Sequence, residues 1–137
     1  MRRLHLIVGL LGVAAFLATG QYMDNALDHL RGLDDTQRLL FRSRHIYLLF
    51  AALLNVALGT YFEIAPHGWR RWVQFVASTA ILVAPPLLVV AFLVEPSLSG
   101  LDGPYSKLAI YGCFGAVLLH AISRWRRQIS LRAETAH

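Results

Sequence analysis

Three histidines stand where an apolar run meets its polar flank, and each shares a helical face with small residues. His5 aligns with Gly9, Gly12 and Phe16, His45 with Ala52, Asn55 and Gly59, and His120 with Ala109, Gly112 and Ala116. Spacings of three, four and seven put such residues on one face of an α-helix. The three rings are therefore expected to point at neighbouring helices rather than at lipid. Imidazole placed this way supports two chemistries. It can hydrogen-bond across a helix pair whose small residues let the backbones approach. It can also ligate haem iron, with small residues one or two turns away leaving room for the porphyrin.

On the second chemistry, His5 and His120 lie at similar depth near the ends of the first and last apolar runs. Gly9 and Gly12 lie deeper than His5, and Gly112 and Ala116 deeper than His120, which suits one bis-histidine haem b. His45, at the opposite boundary, is a second candidate ligand, with Arg42 and Arg44 placed to hold propionate carboxylates. Its sixth ligand would be Met23, His29 or the same histidine of a second protomer. Asn55, near the middle of its run, is too costly to leave unbonded there and is expected to bond between helices. Gln74, Ser78 and Thr79 read the same way. Tyr22, Tyr47 and Tyr105 suit interface anchors, and the first two could also line a quinone or lipid headgroup site beside His45.

Other chemistries lack their residues. No Asp, Glu, Lys or Arg occupies the middle of an apolar run, which argues against a charge-coupled pump or transporter. No His-Glu-x-x-His, Cys pair or glycine-rich phosphate loop occurs. No nucleophile–base or carboxylate pair stands at catalytic spacing, so enzyme activity is not indicated. The single cysteine, Cys113, lies within an apolar run and reads as packing.

The elements that must position these residues are helices. Of the 137 residues 56% are hydrophobic, and mean hydropathy is +0.50. Four runs approach the roughly 20 apolar residues of a membrane span: 4–22, 46–62, 72–94 and 108–122. The pattern predicts one all-α domain, 1–137, a bundle of four transmembrane helices at about 4–31, 35–63, 68–94 and 104–127. Arg2 and Arg3 before the first run resemble a leader, but Phe16 stands where a cleavable leader needs a small residue, so a retained helix is expected.

Gly32 reads as the first helix's C-cap, and Asp34 with Gln37 as the second's capping box. These two helices outrun the bilayer and are expected to project as a hairpin, with Asp28 facing Arg38, Asp24 facing Arg42 and Gln21 near His45. Residues 63–72 form a short turn carrying Trp69 and Trp72. Pro85 and Pro86 should kink the third helix.

Eight basic residues fall on the side of the chain's start and five on the other, which also holds six of the eight acids. The positive-inside rule then places both termini in the cytoplasm, in a bacterial inner membrane. The pI near 10.0 follows from topology and anionic lipid rather than nucleic acid.

Three functional readings follow. One is a small b-type haem protein for electron transfer. Another is a non-catalytic accessory or oligomeric scaffold, self-associating or docking a redox or subunit partner on the hairpin. The last is a lipid- or quinone-binding protein whose pocket opens at the proline kink.

Overall fold

The computed structural model describes residues 1–61, 68–98 and 101–134, with side chains as far as Ser123. It is all-helical: α1 (Arg2–Asn25), α2 (Asp35–Tyr61), α3 (Trp69–Val94) and α4 (Pro104–Glu134), with single 3₁₀ turns at Asp28–Leu30 and Glu95–Ser97. Each α-helix contains a stretch long and apolar enough to cross a membrane. The expected turn at 63–72 lies outside the described residues as far as His67, and so do the side chains of Arg124, Arg126, Arg127 and Arg132.

Packing is that of two antiparallel pairs. α1 lies along α2, α4 lies along α3, and α2 meets α3 between them; α1 and α4 do not form a packed pair. Leu48, Ala51, Ala84, Leu88, Ala109 and Cys113 fill the middle of the bundle. Large apolar side chains such as Leu11, Leu17, Leu53, Leu93 and Leu118 stand exposed on the outside. In a water-soluble fold such coverage would be an association surface; here it is the surface that lipid would cover.

α1 and α2 touch backbone to backbone. A Cβ at Gly59 would lie 2.6 Å from Leu6 N, and one at Gly9 would lie 2.7 Å from Val56 N. A Cβ at Gly12 would fall 2.8 Å from Ala52 Cβ. The stripe of small residues therefore permits a close crossing.

The first connection differs from the expected hairpin. α1 stops at Asn25, not near 31, and Asp28, His29 and Leu30 take φ of 43°, 54° and 64°. A left-handed residue costs about 1–2 kcal/mol without glycine. What offsets that cost is burial: Leu30, 4% exposed, packs with Met23 and Phe92, flanked by Leu27, Leu33 and Phe41. The segment thus closes the end of the bundle, and Gly32, φ 82°, turns the connection rather than capping α1. The expected charge rungs do not form. Asp24 bonds His29 at 3.2 Å and Arg38 pairs with Asp35 at 3.1 Å. Asp34 caps α2 as expected, accepting from Gln37 N at 2.8 Å. At the other end, the α4 backbone stays helical to Glu134, past the expected 127.

Candidate functional site

The polar side chains gather in clusters at different depths. The first lies inside the bundle on α1, α2 and α3. Proline at 85 has no N–H, so Ile81 O, four residues earlier, loses its helical donor. Asn55 Nδ2 replaces it, donating to Ile81 O at 2.8 Å and to Ala51 O at 2.9 Å. Asn55 Oδ1 lies 2.8 Å from His5 Nδ1, which donates because the amide oxygen can only accept. His5 and Asn55 are fully buried. The proline, the mid-span amide and the histidine are one arrangement spanning three helices.

His120 belongs to a separate group on the α3–α4 pair. Its Nε2 is 3.5 Å from Ser78 Oγ, its carbonyl accepts from Ser123 Oγ at 2.8 Å, and Gln74 Nε2 reaches Ser123 Oγ at 3.2 Å. His5 and His120 are thus held on different helix pairs, His5 against Asn55 of α2 and His120 against Ser78 of α3. The small residues beside His5 are filled by α2, and Ala116 packs on Ala77 and Ile81. Beside His5 the stripe is therefore occupied by α2, whereas at Gly112, on the His120 stripe, no neighbouring atom stands within 4 Å of an added Cβ.

His45 stands apart, half-buried between α1 and α2. Its ring stacks on Phe16, centroids 4.0 Å apart, and its Nδ1 is 2.9 Å from Thr19 Oγ1. Thr19 donates its one proton to Phe16 O at 2.9 Å, so Nδ1–H donates to Thr19 and Nε2 carries the lone pair. That tautomer suits a metal ligand. The remaining parts of a haem site do not converge on it. Met23 is packed among Leu30 and Phe92, His29 is bonded to Asp24, and Arg44 points elsewhere. Among the described residues no group of three His, Cys, Asp or Glu side chains could hold a metal ion.

Arg44 anchors the remaining cluster, at the end of the bundle opposite His5. Its Nε donates to Glu95 Oε2 at 2.6 Å, with the two side chains 8% and 0% exposed. Glu95 Oε1 accepts from Ser106 N at 2.9 Å, in the first turn of α4, where a carboxylate also meets the positive end of the helix. Three helices are pinned by this one carboxylate. Gly103 has to be glycine: a Cβ there would collide with Arg44 Nη2 and lie 2.7 Å from Glu95 Oε2.

Beside this clasp a cleft of about 270 Å3 opens between α2 and α4, lined by Arg44, Tyr47, Ser106, Lys107, Ile110 and Tyr111 among others. At its rim Lys107 Nζ donates to Asp102 Oδ1 at 2.6 Å, and this bond holds the Asp102 carboxyl below its ordinary range. A second cavity of about 270 Å3, almost wholly apolar, lies between Gly12, Ala15, Pro85, Pro86 and Val89.

No family, curated protein or solved structure matches the chain. Its chemistry has to be read from these clusters.

Sequence reasoning placed Arg44 near a ligand but missed Glu95, Ser106 and Gly103 as its partners. A signal was there. Arg44 is four, seven and eleven residues before Leu48, Ala51 and Asn55, the most buried face of α2. An arginine on that face requires an acid from another helix, and Glu95 directly follows the third apolar run.

Proposed function

We propose that this chain is a non-catalytic integral membrane module that binds an amphiphile of the lipid or quinone class. The observation that carries the reading is the shape of the α2–α4 cleft. Its upper walls are Arg44, Ser106 and Lys107. One turn further along each helix come Phe50 and Phe114, ring centroids 5.7 Å apart, with Ile110 between the levels. A polar head and an apolar tail would meet matching surfaces in sequence. Tyr47 and Tyr111 stand where interfacial phenols are favoured.

The membrane setting belongs to the same proposal. Eight basic residues against five favour the end holding His5 as cytoplasmic, in a bacterial inner membrane with both termini inside. The Arg44 cleft then opens at the outer leaflet.

A haem b carrier is the less favoured reading. The His45 tautomer supports it, while the placement of His5 and His120 on different helix pairs and the filling of the His5 stripe by α2 weigh against it. Purification from membranes in a mild neutral detergent decides between them. The amphiphile reading expects a featureless visible spectrum and a stoichiometric lipid or quinone in solvent extracts. A Soret band with sharp reduced bands, lost on His45→Ala, overturns it in favour of haem.

A further inference from the structure

Resting on that amphiphile reading, we infer that the α2–α4 cleft recognises a phosphate group, carried on a phospholipid headgroup, through Arg44, Lys107 and the hydroxyls beside them.

Arg44 is prepared for such a ligand. A guanidinium has five N–H donors. Among the described residues, Arg44 bonds Glu95 through Nε and Ser43 Oγ through Nη1 at 2.9 Å. Nη2 packs over Gly103, whose missing side chain makes room for the guanidinium, and Arg44 and Gly103 both line the cleft. The head is fixed in position by its own ion pair, so binding would cost little further side-chain ordering. Lys107 lines the same cleft as a mobile point charge with three donors, only one of them held by Asp102.

The formal charges here cancel in pairs, but the two acids are not equivalent. Glu95 is fully buried behind Arg44, with one oxygen on Arg44 Nε and the other on Ser106 N. Glu95 is not among the residues lining the cleft, and its carboxylate serves to hold the cation in place. Asp102 is the opposite case, with its side chain 88% exposed at the rim. A tetrahedral anion entering the cleft would compete with Asp102 for Lys107. Two cations converging on one small space fit a phosphate oxygen set; a quinone carbonyl needs only a neutral donor.

Lipid rather than free phosphate is favoured by what lies beneath. Lys107, Ile110, Tyr111 and Phe114 are spaced three, four and seven apart on α4, and Tyr47 and Phe50 are three apart on α2. The charged level therefore passes into the aromatic one along both walls, in the direction an acyl chain would run.

The test uses the full chain in a neutral maltoside detergent, with thermal unfolding followed against three probes: a short-chain phosphatidylglycerol, the matching diacylglycerol, and inorganic phosphate. Phosphatidylglycerol is expected to raise the midpoint saturably. Lys107→Gln should raise its half-saturating concentration about tenfold, the worth of one charge-assisted hydrogen bond. Asp102→Asn should lower it several-fold, because the competing carboxylate is gone. Neither residue is buried, and a gain in Asp102→Asn cannot come from misfolding. Diacylglycerol acting as well as phosphatidylglycerol overturns the phosphate inference and leaves the amphiphile reading standing. Inorganic phosphate saturating as early as the lipid overturns the lipid as its source, and the amphiphile reading with it. No response to any probe, or equal affinities across the variants, overturns the proposal.

Discussion

Gly59 and Gly112 carry the same side chain on helices of the same kind, yet the structure gives them opposite tolerance. A methyl at Gly59 meets Leu6 N at 2.6 Å, and no shift of a flexible side chain relieves contact with backbone. Gly59→Ala is expected to cost about 1–3 kcal/mol by forcing α1 and α2 apart. At Gly112 no atom outside its own helix backbone and chain neighbours lies within 4 Å of the added methyl. There Gly112→Ala should be neutral or stabilising by about 0.5–1 kcal/mol, since alanine orders a helix at lower entropic cost. Reversible unfolding in mixed detergent micelles checks both, and equal effects would contradict the packing. Both glycines stood on small-residue stripes legible in the sequence. What the sequence did not contain was which stripe meets a neighbouring backbone, because periodicity specifies a face and not the distance across it. The same limit applied to His5 and His120. Their inward direction could be read, and their separation on different helix pairs could not.

At the scale of elements, the polar contacts explain how α3 accommodates Pro85. Asn55 supplies the donor that Pro85 removes, so the two residues should be coupled. Asn55→Leu is expected to cost about 1–2 kcal/mol. In a Pro85→Ala background the helix regains its own N–H for Ile81 O. The penalty should then shrink by about 0.5 kcal/mol or more in a double-mutant cycle, and strict additivity would refute the bond. The outer clasp behaves differently because its members are charged. Glu95→Ala leaves Arg44 buried without its carboxylate and should cost about 3–5 kcal/mol. Replacing both, Arg44→Met with Glu95→Leu, should recover much of that loss, as apolar pairs of similar volume often do. Four helices and the Asp34 cap were visible in the sequence, since composition and local signals determine them. The end of α1 was not. Local propensity favours helix through Arg31, and tertiary burial of Leu30 on Phe92 overrides it.

For the whole molecule, the four spans differ in how they meet their surroundings. The apolar stretch of α3 is 44% buried inside the bundle and that of α1 only 17%, so α3 is innermost and α1 presents most of its surface outward. A bundle this small cannot hide its apolar faces from water, which is why lipid is part of its stability. Which end meets the cytoplasm decides which leaflet the Arg44 cleft can sample, and the chain carries a convenient reporter. Its one cysteine, Cys113, is fully buried, so a Cys113→Ala background offers no competing thiol. In that background Asp102→Cys, beside the cleft, should react with a membrane-impermeant maleimide in intact cells. Tyr61→Cys, 77% exposed at the opposite end of α2, should react only after permeabilisation. The reverse pattern would invert the orientation and move the cleft to the inner leaflet, where phosphate-bearing headgroups are also present. Reaction of both positions from outside would mean that Asp102 and Tyr61 do not lie on opposite sides of one bilayer, and the membrane-spanning reading of α2 would fall.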